Sequence, residues 1–143
     1  MNRIFVVSHV APGQELSPGY SLLKVGSADF SAEFTDSTGD NIASLNPFYS
    51  ELTALYWIWR NYRCDPDAIV GMVHYRRFFR YPSLNSVFRK EVITSSDIYA
   101  QMADSDVLVP QRRYFNNGLY GQYGESHVLS DLDACLSYLK DTN

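Results

Sequence analysis

Four consecutive residues, His74-Tyr75-Arg76-Arg77, carry the densest chemistry in the chain. An imidazole changes its protonation near neutral pH. A guanidinium grips phosphate oxygens bidentately and neutralises the charge on a departing phosphate without a metal. On a strand, alternate side chains share a face, which puts His74 and Arg76 on one side. The plain alternative is an exposed strand end whose arginines pair with acidic neighbours. Glu51 is the carboxylate that would accept hydroxyl groups, act as a base or pair with an arginine of the cluster. Asp40, Asn41 and Asn46 surround the same apolar segment as Glu51, although Asp40 also reads as a turn residue and Asn46 as a helix cap. His9 follows the first apolar run and reads equally as a ligand contact or as hydrogen-bonded structure. His127, after Tyr120 and Tyr123, reads first as structural.

The elements that must position these groups follow from the apolar pattern. Ile4 to Val7 is a short β-branched and aromatic run, read as a buried strand. Residues 11–40 are rich in Gly, Pro, Ser, Thr and Asp and read as a long irregular stretch. Asn46 as N-cap and Pro47 at the first position open a helix ending before Asp65-Pro66. Its expected main face is Phe48, Leu52, Leu55, Trp59 and Tyr62, widened by Ala54, Trp57 and Ile58 so that the helix is buried on more than one side. Ala68 to Val73 reads as a second strand and Val107 to Val109 as a third, after a short helix capped by Ser95 or Ser96. A last helix is expected from about Val128 to Lys140. Strands alternating with helices give an α/β fold with a mostly parallel sheet. In such sheets ligands bind beyond the carboxyl ends of the strands. Ser8-His9, His74 to Arg77 and Gln111-Arg112-Arg113 all fall there.

The chain has 143 residues, room for one domain with a real core. Its net charge of −4 argues against a general nucleic-acid binder, which needs a basic face. The basic residues are nevertheless clustered: Arg76, Arg77, Arg80, Arg89 and Lys90, then Arg112 and Arg113. A local basic pocket on an acidic protein suits a small anion such as a nucleotide diphosphate. Eleven Tyr and 8 Phe make the chain unusually aromatic, which suits sugar-facing platforms as well as ordinary cores. Cys64 and Cys135 have neither metal spacing nor a disulfide framework, in keeping with a reducing cytoplasm. The apolar start is too short for a signal peptide, and no run approaches the about 20 residues that span a bilayer. No P-loop, Gly-x-Gly-x-x-Gly, Gly-x-Ser-x-Gly or zinc spacing is present. Asp104-Ser105-Asp106 has the form of a metal-binding Asp-x-Asp, but it precedes an apolar run instead of following one, so it reads as a turn.

Residues 39–61, GDNIASLNPFYSELTALYWIWRN, and 71–79, GMVHYRRFF, resemble a bacterial family catalogued as a domain of unknown function. That family recurs in capsular polysaccharide, exopolysaccharide and O-antigen gene clusters. Its pattern is matched by Gly39, Asp40, Asn41, Ile42, Asn46, Glu51, Leu52, Thr53 and His74 to Arg77, with weaker echoes at 4–9, 106–113 and 120–127. The resemblance implies a glycosyltransferase with a GT-A-like nucleotide-sugar-binding sheet, and for some members galactofuranose transfer. Family members run past the equivalent of Lys140, so residues 1–143 are expected to be a single domain that forms the N-terminal part of a longer one.

Under this reading Glu51, His74, Arg76 and Arg77 are the catalytic candidates. His9, Asp40, Asn41, Tyr75, Arg112 and Arg113 are the donor-binding candidates, and no residue is assigned to a metal. The partners are a nucleotide-sugar donor, a glycan or lipid-linked glycan acceptor and further transferase domains. The expected place is the cytoplasm, with contact at the inner face of the membrane left open. Two rival readings are a non-catalytic binding or assembly module and a phosphoesterase built on His74 and the arginines.

Overall fold

The structure is a computed structural model that describes residues 1–13, 15–80 and 92–142. Arg89 and Lys90 of the basic stretch lie outside the described residues. The chain divides into two compact units, Met1–Leu108 and Val109–Asn143.

The first unit is built on four parallel strands: β1 (Arg3–Ser8), β2 (Tyr20–Lys24), β3 (Phe34–Thr35) and β4 (Val70–His74), in the order β3-β2-β1-β4. Strand β1 is apolar on both faces because both are covered. Ile4 and Val6 point into one cluster with Tyr20, Val73, Ile93 and Ile98. Phe5 and Val7 point into the other with Leu23, Val25, Ala54 and Trp57. Phe5 is completely buried, and the rings of Phe34 and Tyr62 meet it edge-on with centroids 5.2 and 5.0 Å away. Burying one such side chain contributes about 1.5–3 kcal/mol.

The stretch at 11–40, expected to be irregular, therefore holds two strands. The apolar run Tyr20 to Leu23 is short and set among turn-forming residues, which hides it, yet it pairs in register from Ile4–Tyr20 to Ser8–Lys24.

The expected long helix is two helices. A 3-10 turn (Ala43–Leu45) leads into α1 (Asn46–Tyr49), and α2 (Leu52–Asn61) follows a break at Ser50. Asn46 is the first residue of α1 and not its cap. The burial is narrower than expected: Thr53, Ala54 and Trp57 are buried, with Ile58 and Tyr62 packed beside them, whereas Phe48, Leu52, Leu55 and Trp59 of the expected main face are exposed. The segment is apolar all round, so periodicity leaves its inner face open. The indole N–H of Trp57 decides it by donating to the Thr38 carbonyl at 3.0 Å.

Helix α3 (Ser95–Gln101) is capped by Thr94, whose hydroxyl accepts the Asp97 N–H at 3.2 Å, and not by Ser95 or Ser96. No strand forms at 107–109. Only Leu108 is partly buried there; Val107 and Val109 are exposed, and no described strand pairs with them. Asp104 to Asp106 form the turn and bend after α3.

The second unit holds α4 (Gly118–Gly124), which the sequence reading lacked, and α5 (Leu129–Asp141), close to the expected last helix. Tyr120 joins them by donating to Asp133 at 2.9 Å, and the rings of Tyr123 and His127 lie 4.7 Å apart.

Candidate active site

The strand order fixes where a ligand can enter. From β1 the chain moves to β2 and β3 on one side, then returns through α1 and α2 to β4 on the other side. The carboxyl ends of β1 and β4 therefore lie side by side at one edge of the sheet, where the connection through α1 and α2 passes. A pocket of about 190 Å3 lies there, lined by Val7, Ser8, His9, Val25, Asn46, Ser50, Glu51, His74 and Arg76.

Both strand ends are anchored. The Tyr75 N–H donates to the Val7 carbonyl and the Val25 N–H to the Ser8 carbonyl, each at 3.0 Å, so the ladder continues to the rim. The buried Ser8 hydroxyl donates to the Val10 carbonyl at 2.6 Å and accepts the Val10 N–H at 3.1 Å. This turn presents His9, whose ring meets Tyr75 edge-on at 5.2 Å. Tyr75 also packs against His74 at 4.4 Å and carries the Arg76 guanidinium 5.2 Å from its ring centre.

His74 is the best-defined group of the site. Its Nδ1 accepts the backbone N–H of Arg76 at 3.1 Å, and its Nε2 lies 3.2 Å from Glu51 Oε1. An acceptor at Nδ1 assigns the proton of the neutral ring to Nε2, where it faces the carboxylate. Burial holds the His74 pKa below the usual imidazole value; Arg76, Arg77 and His9 push the same way, and Glu51 opposes them. The neutral ring thus orients Glu51 through Oε1, and no described residue is bonded to Oε2. Glu51 is nearly half exposed and stands open to the pocket.

Glu51 sits just after the break between α1 and α2. Ser50 there has φ 46° and ψ −126°, a conformation that costs a non-glycine residue ~1–3 kcal/mol. Next to it lies a set of polar groups that leads through Asn46 and Thr53 to Asp36. That carboxylate is fully buried, accepts the Thr53 hydroxyl at 2.6 Å and accepts the Gly26 N–H at 3.1 Å. Burial raises the Asp36 pKa, against the pull of Thr53, Gly26 and Lys24.

Of the sequence candidates, His9, Glu51, His74 and Arg76 line one pocket, and Tyr75 packs behind them. Arg77 does not line it; its N–H closes a turn onto the His74 carbonyl at 2.8 Å and its side chain is exposed. Asp40 and Asn41 do not line it either. Asp40 accepts from Arg60 at 2.6 Å and from Tyr56 at 3.0 Å, and these bonds hold its pKa below the usual carboxylate range. Asn41 accepts the Ala43 N–H at 3.2 Å and so shapes the turn before α1. Arg112 and Arg113 belong to the second unit, where Arg112 stacks on Tyr114. Ser50, Thr53 and Asp36 are additions from the structure. A serine at positive φ carries no mark in a sequence, and Asp36 lies in the stretch read as irregular. Among the described residues, no group of three or more His, Cys, Asp or Glu is arranged to hold a metal ion.

A family described as a domain of unknown function, DUF4422, matches residues 3–143. The chain belongs to the DUF4422 family. This is the kind of family that the motifs at 39–61 and 71–79 resemble. No curated protein matches the chain. Among solved structures, the DUF4422 chain is similar to the apo form of WbbM, a bifunctional glycosyltransferase, with a TM-score of 0.71 and 24% identity. The similarity covers 99% of the DUF4422 chain and 29% of the WbbM chain. At this identity the likeness speaks for the fold, and the α/β, GT-A-like sheet expected from the sequence is the one observed. No helix among the described residues is long and apolar enough to cross a membrane.

Proposed function

We propose that this chain is the donor-binding part of a glycosyltransferase that builds bacterial surface polysaccharide. The observation that carries the reading is the pocket at the ends of β1 and β4, where Glu51 from the start of α2 meets His74 and Arg76 from the end of β4. The donor is a nucleotide diphosphate sugar, taken here as a UDP-hexose or UDP-galactofuranose. Its diphosphate lies against Arg76, and its sugar points toward Glu51.

The chemistry follows from the groups present. The acceptor hydroxyl, on a glycan or lipid-linked glycan, attacks the anomeric carbon as its proton passes to Glu51 Oε2. The bond from the anomeric carbon to the diphosphate oxygen breaks, and its electron pair leaves on the diphosphate, where Arg76 meets the charge. His74 holds Glu51 through Oε1 and stays neutral. The acceptor meets the site at the cytoplasmic face of the membrane, with further transferase domains completing the enzyme.

Calorimetric titration with UDP, UDP-galactose and UDP-galactofuranose, with and without manganese, tests the donor site. Binding that weakens at least tenfold in Arg76→Ala is expected. A folded protein that binds none of them under either condition would overturn the reading. Binding without transfer would favour the second reading, a non-catalytic donor-binding module.

A further inference from the structure

The polar groups beside Ser50 form a chain of hydrogen bonds that runs from Asn46 through Thr53 to Asp36. Asn46 Nδ2 has two hydrogens; one goes to the Ser50 carbonyl at 2.9 Å and the other to Thr53 Oγ1 at 3.0 Å. Thr53 Oγ1 has one, and the nearer of its two acceptors is Asp36 Oδ2 at 2.6 Å, against 3.1 Å for the Ser50 carbonyl. Asp36 Oδ1 takes the Gly26 N–H. The Ser50 N–H donates to the Asn46 carbonyl at 2.8 Å. The Ser50 carbonyl is therefore held by the Asn46 side chain, beside the Thr53 N–H at 3.3 Å, and this clamp of side-chain bonds ends on a fully buried carboxylate.

A left-handed serine persists only where its surroundings over-determine it. The break is also what turns the chain between α1 and α2, so that Glu51 precedes α2 at the mouth of the pocket.

We propose that Asn46, Thr53 and Asp36 are positioning residues: they hold the left-handed Ser50 and thereby set Glu51 Oε1 against His74 Nε2. The inference rests on the reading of Glu51 as the base for its catalytic meaning, but the geometry it predicts is independent of any sugar. Loss of the clamp lets Ser50 relax, and Glu51 leaves His74.

The imidazole nitrogen shifts of His74, followed by NMR across pH in the full chain, read this directly. Replacing Glu51 by Gln removes the carboxylate that favours the charged ring, so the His74 midpoint falls; the size of that fall calibrates the test. Asn46→Ala and Thr53→Val, each shown to be folded by its amide spectrum, are expected to lower the midpoint by at least half as much. Adding Glu51→Gln to either should then lower it little further, and Thr53→Ser, which keeps the hydroxyl, should match the wild type. Asn46 is only half-buried and its loss leaves the Thr53–Asp36 bond in place, so Asn46→Ala carries the test if Thr53→Val does not fold. A folded Asn46→Ala with an unchanged His74 midpoint and tautomer overturns the proposal. In a transfer assay the same variants should lose about tenfold in kcat with little change in KM. If the protein binds no nucleotide sugar, the functional reading fails while the His74 result still decides this one.

Discussion

His74 Nε2 and Glu51 Oε1 lie 3.2 Å apart, one at the carboxyl end of β4 and the other at the break before α2. Nδ1 of the same ring is taken by the Arg76 N–H at 3.1 Å. Both ring nitrogens are thus committed, and the second carboxylate oxygen stays open to the pocket. Under the proposed function such an imidazole orients the carboxylate that takes the proton and does not take it itself.

Acidification should tell on His74. Its folded pKa lies below the ordinary value of about 6.5, through burial first and then Arg76, Arg77 and His9, with Glu51 opposing. Between the folded and ordinary values the unfolded chain binds a proton that the folded chain does not. The contribution to stability is therefore whole above about pH 6.5 and is lost as pH falls through the folded value. Urea midpoints taken from about pH 7.5 to about pH 5 should fall more steeply for the wild type than for His74→Gln. Parallel curves would remove His74 from the account.

The two arginines of the motif should separate. Arg76 lines the pocket, and Arg77 does not. Donor affinity should drop at least tenfold in Arg76→Ala and less than threefold in Arg77→Ala, a difference on the order of 1 kcal/mol. Both side chains are exposed, so thermal midpoints should stay close to that of the wild type. Equal losses in affinity would mean that both arginines reach the donor.

Gly26 should tolerate no side chain. Its φ is +66°, and a Cβ would stand 2.7 Å from Asn46 Oδ1. Asn46 has little room to yield, because its Nδ2 is bound to Ser50 and Thr53. Gly26→Ala should cost on the order of 2 kcal/mol in urea unfolding and weaken the His74–Glu51 coupling. A wild-type midpoint would show that Asn46 is free to move.

The two tryptophans of α2 give the sharpest check on which face is inside. Trp57 is 7% exposed and Trp59 67%. Trp57→Ala should cost ~3–5 kcal/mol, and Trp59→Ala about 0.5 kcal/mol or less. The reverse order in chemical denaturation would restore the face that the apolar spacing first suggests.

Strands β1 and β4 were legible in the sequence because their apolar runs are short, branched and bounded. From them came the strand ends, and from the strand ends His9, His74 and Arg76 as neighbours, whereas Glu51 stood out as a carboxylate beside the apolar helix. Strand β2 was not legible, since Tyr20 to Leu23 sits between glycines and serines that announce turns. Helix α2 was seen, but most of its expected main face is exposed: Phe48 and Leu52 share a stripe only if the helix is continuous, and Ser50 breaks it. The clamp was beyond reach for the same reason. Asp36 and Thr53 are distant in sequence, and only the pairing of β2 with β3 brings Asp36 to the helix break.

The order of the sheet also governs how the protein is made. Strand β1 lies between β2 and β4, and a ribosome delivers these neighbours at very different times. The partner on one side follows within about twenty residues, whereas Gly71 to His74 emerge roughly seventy residues after β1. At ~5–20 residues per second, one edge of the apolar segment Ile4 to Val7 waits several seconds for its mate during translation. Slow stretches of message between the codons for β1 and β4 would lengthen that wait, and a holding chaperone would shelter the same four residues.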